Sequence, residues 1–261
     1  FPQSRKIVLA NFQDFMLNHE YVALKMIHNK FSDTPELSDL DLVVRKQSIN
    51  SVEQFFKDHV LVKKTRITTK SNMSTIAVFL VNGEFLTIDL LHKLSRKGVV
   101  FMSAEEMIAN RKLRNGITYP RLSDDYNYMQ CFYTLNKAKI PPKYMRFMYE
   151  KCRSRNKRSV ILQQIEEQLG MGYSSLTESF EYSEQKRKNL LAYVKLNSNQ
   201  SFIQRSSSVL GYVTDTLKSF LTGRGQVITF SGVDGVGKTT VMDIVIKQLT
   251  KKYRKEVVQL R

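Results

Sequence analysis

Nine consecutive residues near the carboxyl end of the sequence have the types and spacing of a phosphate-binding loop. Their glycines and a terminal Gly-Lys-Thr-Thr lie between an apolar run, QVITF, and a run of helical periodicity, VMDIVIKQL. This order matches the pattern G-x-x-x-x-G-K-[ST] in its strand–loop–helix setting, in which backbone N–H groups at the start of the helix point at the anion. The predicted ATP-binding residues are Gly232, Val233, Asp234, Gly235, Val236, Gly237, Lys238, Thr239 and Thr240.

Two side chains of this loop have predicted roles in phosphoryl transfer. Lys238 would neutralise the β and γ phosphates of ATP, which makes it a candidate catalytic residue. The hydroxyl of Thr239 would join the coordination shell of a Mg²⁺ ion bound with the nucleotide. ATP and Mg²⁺ are therefore the predicted cofactors.

The segment ITFSGVDGVGKTT resembles the opening of thymidylate kinase and of related nucleoside-monophosphate kinases. The resemblance implies that Asp234 lies near the transferred phosphoryl group and is a second catalytic residue, with a small phosphate acceptor as substrate. Ser231 stands where those kinases often have Glu. The resemblance covers residues 226–261 and includes neither the lid nor the base-recognition pocket of the family, so we expect the sequence to be a fragment.

A second set of candidate residues consists of three aspartates in the first half of the sequence. Asp39 and Asp41 are separated by one residue on an apolar strand, so both side chains should project from one face. Asp89, near the end of the predicted strand FLTIDL, could supply a third carboxylate from a neighbouring strand. Such a cluster is suited to hold Mg²⁺ for attack on a phosphate. The alternative is an ordinary solvent-facing Asp-x-Asp pair.

The order of elements over residues 5–165 resembles the nucleotidyltransferase fold of the DNA polymerase beta superfamily. That resemblance implies that the metal-binding aspartates of the family map onto Asp39, Asp41 and Asp89. The family has Gly and Gly/Ser on the segment that receives the triphosphate, whereas here Met26 and Ile27 would keep a phosphate away from the backbone. The side chains that could compensate are Lys25 and Ser38.

Hydrophobic periodicity and turn residues predict the elements that must position these groups. Two β-prone runs flank Asn82-Gly83, which predicts a hairpin with a type I′ turn, and the sequence after Asn110 has helical character. The polar clusters NSNQS and RSSS, at 197–201 and 205–208, indicate breaks or a linker. Helices are predicted over 122–135, 142–152, 158–169 and 176–196.

The predicted fold class is α/β, made of an α+β nucleotidyltransferase-like domain with a helical extension and a truncated P-loop α/β unit. The predicted divisions are the nucleotidyltransferase-like domain at 1–110, a basic helical extension at 111–196, a linker and amphipathic helix at 197–222, and the start of a P-loop kinase domain at 223–261.

Composition bounds the class of protein and its partners. The 261 residues are 42% hydrophobic and carry a net charge of +17, which is typical of a globular protein with anionic partners. No apolar run approaches the ~18 residues of a membrane span, and no signal peptide is evident, so a cytoplasmic location is expected. Two cysteines, Cys131 and Cys152, are too few for a disulfide framework.

Three functions remain open at this point. The favoured prediction is a phosphotransferase that binds a nucleoside triphosphate at the P-loop. The first alternative is a Mg²⁺-dependent nucleotidyltransferase whose P-loop is regulatory. The second is a catalytically inactive module that binds nucleotides or nucleic acid through its basic helices, although nucleic acid is not the favoured partner.

Overall fold

The computed structural model describes residues 3–36, 38–170, 172–197, 202–222, 228–229, 231, 237–247, 249–250 and 257. The helices are α1 Ser4–Met16, α2 Ile49–Asp58, α3 Ala104–Ala109, α4 Leu122–Leu135, α5 Pro142–Lys151, α6 Arg155–Leu169, α7 Leu176–Phe180, α8 Glu184–Asn197, α9 Phe202–Thr222 and α10 Lys238–Lys247. The strands are β1 Tyr21–Ala23, β2 Leu40–Val44, β3 Val62–Thr69, β4 Met73–Leu80, β5 Phe85–Leu91, β6 Leu94–Arg96, β7 Val99–Met102, β8 Lys112–Arg114 and β9 Ile117–Tyr119.

A five-stranded mixed sheet in the order β1-β2-β5-β4-β3 organises the first half of the chain. The β2–β5 pair is parallel, and the other neighbours run antiparallel. Alternate residues of β4 and β5 are buried, as expected of strands that present one strongly apolar face. A mixed sheet followed by a run of helices confirms the predicted α+β class.

Helices cover both faces of this sheet and form two separate cores. Leu42 in β2 belongs to the core that includes Phe12 of α1 and Phe56 of α2. Val43, the next residue, belongs to the other core, which includes Tyr128 of α4 and residues of α3 and of the helices that follow α4. The helical extension therefore packs directly onto the sheet. The odd-numbered residues of β2 face the helical extension.

The hairpin predicted at Asn82-Gly83 is present, but its turn type was predicted wrongly. Strands β4 and β5 form a continuous antiparallel ladder, and the N–H of Gly83 donates to the carbonyl of Leu80 at 3.0 Å. Gly83 has a φ of +83°, whereas Asn82 does not have a positive φ. A type I′ turn needs a positive φ at both central residues. One left-handed glycine suffices here because the connection is longer than two residues.

The prediction of helical structure directly after Asn110 was wrong. Strands β8 and β9 pair antiparallel around Asn115 and Gly116, whose φ angles are +50° and +72°. Two consecutive positive φ angles are what a type I′ turn requires. The Asn-Gly signal used for the first hairpin was therefore also present here, on strands only three residues long.

Other predicted helices agree with the structure except at two breaks. α4 has the predicted bounds, while the predicted helix over 176–196 is two helices, α7 and α8, separated by 181–183. The predicted break at 205–208 is wrong, because these residues lie inside α9. Cys131 and Cys152 are buried and form no disulfide. Within the residues described, none of the helices has the length and apolar character needed to cross a bilayer.

Candidate functional site

Two of the three predicted aspartates are direct neighbours in the sheet. Asp41 of β2 pairs with Asp89 of β5 in the parallel register, so their Cα atoms lie on strands about 5 Å apart. Both side chains point away from the face that carries Leu42 and Leu90, toward the helical extension. The structure thus brings two of the three aspartates together in the layer between the sheet and the helices.

Lys25 provides the positive charge beside this carboxylate pair. Its Nζ lies 2.6 Å from Oδ2 of Asp41, and the exposed fractions of the two side chains are 10% and 20%. The β1–β2 register explains this placement, because Ala23 pairs with Leu42 and the N–H of Leu24 then donates to the carbonyl of Asp41 at 2.9 Å. Lys25 follows with a φ of +50°, which turns the chain at the end of the strand.

The ammonium group of Lys25 is surrounded by aromatic rings of the helical extension. Nζ lies 5.8 Å from the ring centroid of Tyr128, 5.2 Å from that of Phe132 and 5.8 Å from that of Tyr144. Cations over aromatic faces at such distances are stabilised by the ring quadrupole, most strongly when water is excluded. This arrangement of Lys25 and its three rings is called the lysine cage below.

Opposing influences act on the protonation of Lys25. Burial, the largest single influence, lowers the pKa of its ammonium group. The charge and hydrogen bond of Asp41, with smaller contributions from Tyr128 and Tyr144, raise that pKa by more in total. The net pKa is above that of an ordinary lysine, so Lys25 carries its charge at neutral pH.

A buried carboxylate on α4 holds the backbone of Lys25. Oδ1 of Asp125 accepts a hydrogen bond from the Lys25 N–H at 3.1 Å. Burial raises the pKa of Asp125 to about 6, although the hydrogen bond from Lys25 acts in the opposite direction. Lys25 is thus fixed at two points, by Asp41 through its side chain and by Asp125 through its backbone.

Asp89 has an unfavourable environment for a charged carboxylate. Burial raises its pKa to about 6, and the neighbouring charge of Asp41 adds to this effect. Thr75, its cross-strand partner on β4, donates a hydrogen bond from Oγ1 to Asp89 Oδ1 at 2.7 Å. That hydrogen bond favours the ionised form but only partly offsets the effect of burial.

We expect Asp89→Asn to stabilise the fold at pH 7.5 by on the order of 2 kcal/mol. The pKa of Asp89 is raised from 3.8 to about 6 by folding, so its contribution to stability is present below pH 3.8 and is lost as the pH rises through about 6. Asparagine stays neutral and can still accept the hydrogen bond from Thr75. Urea unfolding at pH 7.5 and pH 3.5 measures the difference, which should vanish at the lower pH.

The matched control is Asp14→Asn, because Asp14 is an exposed carboxylate on α1. We expect its effect on the free energy of unfolding to stay within about 0.5 kcal/mol at both pH values. Equal stability of wild type and Asp89→Asn at pH 7.5 would contradict the raised pKa of Asp89.

The residues around Asp41 fit a lysine ammonium better than a divalent metal ion. Across the described part of the chain, no three His, Cys, Asp or Glu side chains lie together as a metal centre requires. Asp39 precedes β2 by one residue and so lies outside the strand pair formed by Asp41 and Asp89. Because Asp41 already forms an ion pair with Lys25, the arrangement does not match a Mg²⁺ site with three carboxylate ligands.

Most of the predicted ATP-binding loop lies outside the described residues. This applies to Gly232, Val233, Asp234, Gly235 and Val236, and to most of the predicted strand QVITF. The described portion begins at Gly237, which has a φ of +86°, and continues as α10, which begins at Lys238. Thr239 and Thr240, in the first turn of that helix, are exposed. A helix directly after the loop agrees with the sequence prediction.

Sequence reasoning overlooked the residues that surround the aspartate pair. The packing of α4 and α5 on the sheet brings Asp125 and the three rings of the lysine cage to Lys25. Packing between elements that are distant in the sequence leaves no local sequence pattern. One signal was available: Lys25 interrupts the apolar run YVALKMI, and a lysine at such a position often needs a carboxylate partner.

The fold and the site together define an α+β protein with a carboxylate–lysine pair between a mixed sheet and a helical extension. No protein-family model and no curated protein matches the sequence. Among solved structures, the chain is similar to the one described as "Structure and function of the polymerase core of TRAMP, a RNA surveillance complex", with 10% identity and a TM-score of 0.25. The match covers 77% of this chain and 58% of that one.

Proposed function

We propose that the first half of this chain is a nucleotidyltransferase-like domain that binds a nucleotide and does not carry out metal-dependent transfer. The observation that supports the lack of metal-dependent transfer is the 2.6 Å contact between Lys25 Nζ and Asp41 Oδ2. The ammonium group of Lys25 neutralises the Asp41 carboxylate. A metal ion would need that carboxylate as a ligand. The bulky Met26, which is buried, and Ile27 fill the segment where the resembling family has small residues.

The fixed position of Lys25 supports this proposal further. Asp125 and the lysine cage hold it from the side of the helices, and Asp41 holds it from the sheet. A Mg²⁺ ion would have to displace an ammonium group that is ion-paired and largely shielded from water. Breaking such a pair leaves an uncompensated charge, which is costly in a partly buried site.

A Mn²⁺ titration followed by electron paramagnetic resonance tests this proposal. We expect wild type and Asp41→Asn to bind the same amount of Mn²⁺ in the absence of nucleotide, because the Asp41–Asp89 pair holds none. We also expect no Mg²⁺-dependent release of pyrophosphate from nucleoside triphosphates. The proposal fails if Asp41→Asn removes a Mn²⁺ site that the wild type has.

A Mg²⁺-dependent nucleotidyltransferase is the second candidate, and the parallel pairing of Asp41 with Asp89 favours it. Pyrophosphate release that is lost in Asp41→Asn and retained in Lys238→Ala would establish this function in place of the first. In that case the P-loop would be regulatory.

For the second half of the chain we propose that the loop from Gly232 to Thr240 binds ATP with Mg²⁺ and supports transfer of a phosphoryl group to a small acceptor. The sequence motif carries this proposal, with α10 as the helix that follows it.

A further inference from the structure

A cavity of about 630 Å³ opens beside the residues that follow β1. Its walls come from that segment, from the β8–β9 hairpin, from the start of α4, and from parts of α5 and α6. Neither Asp41 nor Asp89 lines it, so it is separate from the carboxylate pair. Its volume lies in the range typical of sites for small molecules and cofactors.

Positive charge dominates the lining of this cavity. Lys112 and Arg114 are exposed and lie two residues apart on β8, which places them on the same face of that strand. Lys151 of α5 and Arg121, which is ion-paired with Asp124, add two further cationic groups. The one carboxylate among the lining residues is Asp125, which is buried and accepts a hydrogen bond from the Lys25 N–H. The cavity therefore suits a ligand with several negative charges.

Part of the cavity lining is apolar and aromatic. Ile27 and the half-buried Phe147 contribute to them, and Lys151 Nζ lies 5.4 Å from the centroid of the Phe147 ring. A flat apolar group could pack against this ring beside the cation. Asn156 adds an amide, which can both donate and accept hydrogen bonds. It lies in the first turn of α6, whose preceding residue Ser154 makes no capping hydrogen bond with its side chain.

We infer that this cavity binds a nucleoside triphosphate, with the base against Phe147 and the phosphates toward Lys112 and Arg114. A nucleotide combines the two features that the lining requires, a flat ring with hydrogen-bonding edges and a strongly charged tail. The inference deepens the function proposed above, since it names where the nucleotide binds. It does not involve a metal ion, so binding should persist in EDTA.

Isothermal titration calorimetry with ATP and GTP in EDTA tests this inference. The Lys238→Ala protein is the background, so that the predicted C-terminal loop does not contribute. We expect Lys112→Glu/Arg114→Glu to weaken binding by at least about 30-fold, because two attractive charges become repulsive. Pyrophosphate alone should bind more weakly than either nucleotide, because it lacks the base.

Lys64→Glu/Arg66→Glu is the matched control. These two residues repeat the same types at the same spacing on strand β3, at the opposite edge of the sheet, and both are exposed. We expect this control to change the affinity less than about 2-fold in buffer of moderate salt. Circular dichroism and thermal unfolding of both variants separate a change in binding from a loss of fold.

Three outcomes would overturn the inference: no heat with either nucleotide, an equal loss of affinity in the control, or tight binding of single-stranded RNA without binding of mononucleotides. Pyrophosphate binding as tight as that of ATP would overturn the placement of the base. Failure of the proposed function can be distinguished from failure of this inference. Mg²⁺-dependent release of pyrophosphate would show that the protein carries out transfer, whether or not the cavity binds a nucleotide in EDTA.

Discussion

Replacing Lys25 by methionine is expected to lower the free energy of unfolding by about 3 kcal/mol at pH 7.5. The substitution keeps an unbranched side chain among the rings of the lysine cage but removes the cation. Asp41 is then left beside Asp89 with no compensating charge, in a layer from which water is largely excluded. Equilibrium unfolding in urea measures this loss.

A double-mutant cycle with Asp41→Asn isolates the ion pair itself. Asp41→Asn should cost less than Lys25→Met, since it also removes the repulsion between Asp41 and Asp89. The double variant should be more stable than the sum of the two single effects predicts. Lys57→Met is the matched control, because Lys57 pairs with Glu53 at 2.5 Å but its side chain is 49% exposed. We expect that control to change stability by about 0.5 kcal/mol or less.

The same cycle bears on the proposed function. A loss of less than about 0.5 kcal/mol in Lys25→Met would show that Lys25 is dispensable as a counterion, as a surface pair would be. Such a result would remove the main support for a metal-free carboxylate pair. It would also favour the active nucleotidyltransferase, in which Asp41 is available to a metal ion.

Elements with a long periodic pattern were the predictable part of the fold. α4 has the predicted bounds, and its fourteen residues are followed by Asn136 as the C-cap. β4 and β5 alternate buried and half-buried residues over most of their length. The β8–β9 hairpin was missed because β8 has three exposed residues and therefore no alternation to read. Only its Asn-Gly turn marked it, and a turn signal without flanking apolar runs is weak.

The candidate site was predictable to the extent that it depends on strand order. Asp41 and Asp89 lie on strands that the sequence indicates clearly, and their residue types suggested a shared site. The partner of Asp41 was not predictable, since it depends on the β1–β2 register and on the positive φ of Lys25. The surrounding rings come from helices about 100 residues away in the sequence, which no local pattern connects to Lys25.

Lys238→Ala is expected to weaken ATP binding at the C-terminal loop by about 100-fold in the presence of Mg²⁺. A charge-assisted hydrogen bond to a phosphate is worth up to about 3 kcal/mol, which corresponds to that factor. The Lys112→Glu/Arg114→Glu protein is the background, so that the cavity beside β1 does not contribute. Isothermal titration calorimetry measures the affinity. Unchanged binding would refute the assignment of residues 232–240 as a phosphate-binding loop.

Two further variants separate the charge of Lys238 from the shape of the loop. Lys247→Ala is the matched control, because Lys247 is an exposed lysine at the other end of α10. The affinity of the Lys247→Ala protein for ATP should stay within about 2-fold of that of the background protein. Gly237→Ala places its Cβ more than 4 Å from any neighbour in the described part of the chain, but its φ of +86° is strained for any side chain. If backbone shape as well as the lysine creates the site, Gly237→Ala must also weaken ATP binding, although it changes no charge.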